Sequence, residues 1–386
     1  MRALLSTSIA VSMIALSTGN LAAQPADAEP PPDNEHHALR AELGAEFDSN
    51  ATRTETISGT ALPGRVRSFL QRLVVSGTLS DVVSPRHAVA LSATAAGKLF
   101  DAGAARGESV AIAQSSGAWR IRLGEQIWMT ASGIYYEAFQ AAKADPTANA
   151  ERRDFRSLIP TLQLGWLASE SVDLSLSGGW RWLVFKSDRD FDFSGPTAAL
   201  DLRWARQRED AADLEIGTGA AIEHRLFGGP AFMGSCMPTG LPCPGPQIRT
   251  DDLLTARLEV TRTAGVLFGS GYAFHYNLSN SFGDTVMRHL AIFRFAANLP
   301  LGVSLAARAE VLLARYRDRI NVSAGSGFVT VEDENRSSGR VDVSRALGER
   351  LRLLARYTLY VSELGSNAGS YLRQTLLLSL AYTLEK

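Results

Sequence analysis

From Ala38 onward the sequence keeps one rule: apolar and polar side chains alternate with a period of two, run after run. In Ala38–Thr52, Leu39, Ala41, Leu43, Ala45 and Phe47 fall on one face and Arg40, Glu42, Gly44, Glu46 and Asp48 on the other. The next run, Phe69–Leu79, sets Leu73, Val75 and Leu79 against Arg72, Ser76 and Thr78. Successive side chains of a strand point to opposite faces. Each run therefore predicts a strand with one apolar face and one wet face.

The connections alternate too. Short links around Pro85, at Gly124–Gln126, Ala168–Ser171, Thr263–Gly265, Asn298–Leu301 and Gly348–Glu349 take turns with longer segments. The longer ones are Asp101–Glu108, Ala141–Asp154, Ser187–Gly195, the Cys-containing stretch, Arg317–Gly339 and Glu363–Ser370. Short turns at one end and long loops at the other are the habit of a transmembrane antiparallel up-and-down β-barrel. The runs predict about 16 strands (14 to 18), with both ends of the sheet at the short-turn, periplasmic side. A soluble β-sandwich, propeller or β-helix also has one apolar face per strand, but does not require this alternation of link lengths. Trp119, Trp128, Trp166, Trp180, Trp182, Trp204, Tyr357 and Tyr382 lie near run ends, where interfacial girdles are expected.

Bulk composition hides such a fold. The 386 residues carry a net charge of -1 and 45% hydrophobic side chains, and mean hydropathy is -0.03. Near-neutral charge gives no electrostatic case for nucleic acid. Met1–Ala23 reads as a secretory signal: Arg2, an apolar stretch over Ala3–Leu16, then small residues. Residues 24–37, rich in Pro and acid and including His36 and His37, read as a periplasmic leader. Residues 38–386 are then one outer-membrane barrel. Beyond the signal no apolar run reaches the length of a membrane helix. Cys236 and Cys243 sit in a Gly/Pro-rich stretch and are expected to form a disulfide in an oxidising compartment; their spacing suits no zinc site.

If the apolar faces meet lipid, the other faces line a lumen. That register assigns Arg40, Glu42, Glu46, Asp48, Arg72, Arg120, Arg181, Arg203, Glu223, Arg225, Arg257, Glu259, Arg294, Arg308, Glu310, Arg352, Arg356 and Arg373 to the lining. Arg308 and Glu310, and Arg257 and Glu259, stand two apart on one face, within pairing distance. The charges can stiffen the wall by pairing or present donors and acceptors to a polar solute. Mixed sign argues against a strongly ion-selective pore. An enzyme is the third class to weigh. His275 and Ser279 lie four residues apart, about 13 Å along a strand, too far for a catalytic hydrogen bond. No nucleophile elbow, phosphate-cradling loop or metal-ligand spacing is present, so neither cofactor nor metal is expected.

One local string suggests relatives. Leu43-Gly44-Ala45-Glu46-Phe47-Asp48-Ser49-Asn50 resembles the first strand of a group of outer-membrane barrels. That group includes the PgaA-like exopolysaccharide-export barrels, the surface-lipoprotein assembly modifiers and barrels encoded with myxobacterial exopolysaccharide clusters. The sequence departs from members with an N-terminal helical repeat domain, and its last residues, Tyr382-Thr383-Leu384-Glu385-Lys386, lack the usual terminal aromatic. The resemblance implies an outer-membrane conduit for a secreted polysaccharide. Its implied partners are outer-membrane lipid, the barrel-assembly machinery, a separate periplasmic export protein and the polysaccharide. A general porin or nutrient channel, and a barrel for surface display or adhesion, are the alternatives.

Overall fold

The computed structural model describes residues 36–51, 56–57, 60–61, 66–140, 154–186, 189–208, 211–236, 241–317, 336–363 and 370–385. The expected signal lies outside them, as does the leader up to residue 35. Among the described residues sixteen long strands cross the molecule. The first eight are β1 (His36–Asp48), β2 (Ser68–Ser84), β3 (His87–Phe100), β4 (Val110–Arg122), β5 (Ile127–Gln140), β6 (Phe155–Ser169), β7 (Val172–Phe185) and β8 (Phe193–Arg208). The rest are β9 (Ala211–Cys236), β10 (Leu241–Ala264), β11 (Val266–Ser279), β12 (Val286–Leu299), β13 (Val303–Tyr316), β14 (Arg336–Ala346), β15 (Leu351–Glu363) and β16 (Ser370–Glu385). Each strand pairs antiparallel with its neighbours in sequence, and β1 also pairs with β16, so the sheet closes. This is the up-and-down barrel that the alternation predicts. A flap of Thr56–Ile57 against Thr60–Ala61 joins β16 through Thr56 and Ser370 and does not cross the wall.

Among the described residues the links after even-numbered strands are tight. Gly265 alone joins β10 to β11, and its φ of 72° is a left-handed value that glycine adopts without a Cβ clash. Strands this long, tilted as in barrels, exceed the hydrocarbon thickness of a bilayer.

Burial is inside out relative to a soluble domain. Leu43 is 64% exposed, whereas Glu46, three residues on, is 3% exposed. Leu39, Leu73, Leu91, Leu176, Leu200, Leu258, Leu313 and Leu378 are likewise exposed, and their cross-strand registers place them on one continuous outer face. An apolar band of that extent needs lipid around it. Trp119, Trp166, Trp204 and Tyr382 lie near its periplasmic edge, and Trp180 and Trp182 near its outer edge. Trp128 departs from the expected girdle: in register with Gly165, it faces inward and packs over that glycine. A place near a strand end does not fix the face; parity does.

Two expectations about segments change. β1 begins at His36, and His36 and His37 pair with Ser80 and Leu79 in place of belonging to the leader. Most of the Cys-containing stretch is not loop but the paired outer ends of β9 and β10. The register shifts between Leu226 and Pro230, Pro230 and Phe232, and Met233 and Cys236 accommodate its prolines. Proline is tolerated in a ladder only at such irregular or edge positions. Cys236 and Cys243 are joined at the tip, with Cα atoms 6.0 Å apart. A bridge closing so short a loop contributes about 2–3 kcal/mol in the chain-entropy account. Reduction should therefore expose the hairpin tip to protease while heat-modifiable gel migration of the barrel stays unchanged.

Candidate functional site: the charged lumen

The cross-strand registers place the charged candidates on the inner face. Arg40, Glu42, Glu46 and Asp48 project inward from β1, Arg72 from β2, Arg120 from β4 and Arg181 from β7. Arg203 comes from β8, Glu223 and Arg225 from β9, Arg257 and Glu259 from β10, and Arg294 from β12. Arg308 and Glu310 belong to β13, Arg352 and Arg356 to β15, and Arg373 to β16.

The pairing at the seam is dense. Asp48 accepts hydrogen bonds from Arg373 Nε at 2.9 Å and Nη2 at 2.5 Å, and its other oxygen accepts the Asn50 N–H at 2.9 Å. Ser49 exchanges hydrogen bonds with the Gln374 backbone. The Asp-Ser-Asn string thus stitches the first strand to the last. Below it, Glu46 faces Lys98 at 3.3 Å and Arg72 at 3.8 Å. Glu42 bonds Arg40 at 2.8 Å and accepts from Ser379 Oγ at 3.0 Å.

The rest of the wall repeats the scheme. Asp342 is held by Arg356 at 2.7 Å and by Arg340 Nε at 2.9 Å. Glu223 is held by Arg225 at 2.8 Å and Arg181 at 3.4 Å. Glu310 pairs with Arg308 on its own strand. Arg257 reaches across to Asp201 at 2.7 Å, and Arg294 to Glu259 at 2.8 Å. Asp251, fully buried, takes Arg249 at 2.7 Å, Ser279 Oγ at 2.5 Å and Asn277 at 3.2 Å. Ser279 is thereby engaged away from His275, which instead shares a hydrogen bond with Thr255 at 3.0 Å.

The two ends of the lumen differ. Near the periplasmic turns the Arg203 and Glu215 side chains are 56% and 41% exposed, whereas toward the outer mouth the Arg181 side chain is 4% exposed. Two apolar clusters account for the outer burial. Inward-facing Phe155, Phe185, Phe193 and Phe227 pack together with Phe191 of the turn Arg189–Phe191. On the other side Leu70 and Phe100 pack with Ala105 of the turn Gly103–Glu108, so that turn lies against the inner wall. The guanidiniums of Arg225 and Arg249 stand 4.8 Å from the Phe193 ring and 4.1 Å from the Phe227 ring, stacking that retains positive charge at low solvation cost.

Some lining residues escape sequence reasoning. Lys98 lies between the Pro85 link and Asp101–Glu108, and its parity with Arg72 would have found it. Arg249 and Asp251 lie in the stretch read as loop; their two-residue spacing on an extended β10 was the missed signal.

A closed sixteen-strand barrel with a lipid-facing apolar band and a charged interior is a bacterial outer-membrane barrel. No family model and no curated protein matches the sequence. Among solved structures, Acinetobacter baumannii OccAB1 is similar in fold, with a TM-score of 0.50, 9% identity, and coverage of 93% of this chain and 99% of that one. A BenF-like porin from Pseudomonas fluorescens Pf-5 has a TM-score of 0.49 and 10% identity over 90% of this chain and 99% of its own. Pseudomonas aeruginosa OpdK, solved with vanillate, has a TM-score of 0.48 and 10% identity over 91% and 99%.

These matches correct the functional expectation. One of these three neighbours is named a porin and none a polysaccharide exporter, which corrects the polysaccharide conduit drawn from Leu43–Asn50. The physical reason lies at the seam: Asp48, Ser49 and Asn50 bind the first strand to the last, so barrel closure accounts for the string without reference to a cargo.

Proposed function

We propose that the protein is a porin-type diffusion channel for small polar solutes, with a preference for anions. One observation carries the reading: Glu46, Glu223 and Asp342 are each shared by two cations. Each trio keeps one net positive charge on the lining. The closed sixteen-strand wall and the solvent-exposed lower lumen agree with it.

At about 6 Å in water one net charge attracts an anion by about 0.7 kcal/mol and repels a cation equally. Screening in 0.1 M salt reduces this to a few-fold selectivity. Purified protein in a planar bilayer under a potassium chloride gradient should show discrete conductance and a reversal potential of the sign set by chloride. Absence of conductance, or a potential of the opposite sign, would refute the proposal. Arg356→Gln should move the reversal potential toward zero.

A further inference from the structure

Two partly exposed ion pairs of the lumen join strands that are not neighbours. Arg257 of β10 donates to one carboxylate oxygen of Asp201 on β8, from Nη2 at 2.7 Å and from Nε at 3.2 Å. Arg294 of β12 likewise reaches Glu259 of β10 at 2.8 Å. Such strands lie about 10 Å apart, twice the usual spacing, so each pair must cross the strand between. An inward side chain of ordinary size on that strand would stand in the way.

Glycine occupies both crossings. Asp201, Gly219 and Arg257 are in direct register across β8, β9 and β10. Glu259 is in register with Gly271 of β11, and Arg294 with Gly269. The clearances differ. A Cβ at Gly219 would lie 2.0 Å from Asp201 Oδ1 and 2.9 Å from Arg257 Nε, so that bridge rests on bare backbone. At Gly269 and Gly271 the nearest atoms would be 3.6 Å and 3.8 Å from a Cβ, so the second bridge leaves room for a methyl group. Gly217, the preceding inward residue of β9, has open space, with nothing within 4 Å of a Cβ.

We infer that Gly219 is a positioning residue for permeation: its missing side chain lets Arg257 lie flat against the wall, tied to Asp201, and keeps this long cation out of the passage. A Cβ at position 219 displaces the carboxylate oxygen, breaks the bridge and turns the guanidinium toward the lumen. There it narrows the path and changes which charges a solute meets. The role in permeation rests on the diffusion-channel reading, whereas the placement of Arg257 does not.

Phenylglyoxal modification of the detergent-purified barrel, read by peptide mass spectrometry, reports the placement. Gly219→Ala should raise the rate at Arg257 at least threefold and leave Arg294 at its wild-type rate. Asp201→Ala removes the bridge directly and should raise the Arg257 rate as much, with no further rise in the double variant. Gly217→Ala should change neither arginine. In planar bilayers Gly219→Ala should lower single-channel conductance by about one third or more. A wild-type rate at Arg257 in folded Gly219→Ala, or an equal rise at Arg294, would overturn the placement. Unchanged conductance with a reactive Arg257 would overturn the role in permeation. A wild type that does not conduct refutes the channel reading and that role together, while the modification rates still decide the placement. Heat-modifiable migration reports folding. If Gly219→Ala does not fold, adding Asp201→Ala must restore folding, because the obstructing oxygen is then gone; an unfolded double variant overturns the inference.

Discussion

Asp48→Ala should destabilise the barrel by about 3–5 kcal/mol, the usual cost of removing one partner from a buried ion pair. Arg373 is almost fully buried, and the substitution strips it of two charge-assisted hydrogen bonds while Asn50 loses its acceptor. The Tyr360 ring, 5.5 Å from the Arg373 guanidinium carbon, cannot replace a carboxylate. The loss should appear as a lower denaturant midpoint and less folded band on unheated gels. Replacing both partners by apolar residues, Asp48→Leu with Arg373→Met, should recover most of the stability, because no charge is then left unpaired. A single Asp48→Ala variant unfolding at the wild-type midpoint would show that the seam does not depend on this pair.

Gly195→Ala should cost about 3 kcal/mol, the upper part of the usual range for overpacking. A Cβ at Gly195 would lie 1.6 Å from the His224 carbonyl oxygen and 2.7 Å from its carbon. Both obstacles are backbone, so no rotamer change relieves them. The strands must part there, and the pairing between β8 and β9 already skips Gly195 and Pro196. Parting would also strip the pairing of Phe193 with Phe227, whose rings lie 5.2 Å apart. Faster trypsin cleavage near Arg225 and a smaller folded fraction are the expected results. Gly133→Ala, at a position with open space, should leave both measurements at wild-type values.

The sequence carried the barrel because a lipid–water wall imposes its period on every residue. Leu43 and Glu46 occupy opposite faces for that reason alone, and a count by twos from one leucine places the charges of each run. The information fails where the wall rises beyond the lipid. In the outer halves of β9 and β10 both faces meet water or protein, the alternation fades, and Pro230, Pro244 and Gly245 look like loop residues although most of the segment is paired. Burial inside the lumen was also out of reach. Nothing local distinguishes Arg181 from Arg203, since their difference comes from Phe193 and Phe227, which are distant from at least one of them in sequence and close in space. The cargo expectation failed for a different reason. A short string can be selected by a shared wall geometry as readily as by a shared solute, and Asp48-Ser49-Asn50 answers to the wall.

The bonds between Asp48 and Arg373 join residues 325 apart in sequence. Contacts of such separation form late, because the chain between must already be ordered for their loop-closure cost to be small. β1 therefore passes through assembly with one edge unpaired, an edge open to pairing with other chains. The last event in making this barrel is a zipping of two edges, and its final lock is an arginine reaching back to the first strand.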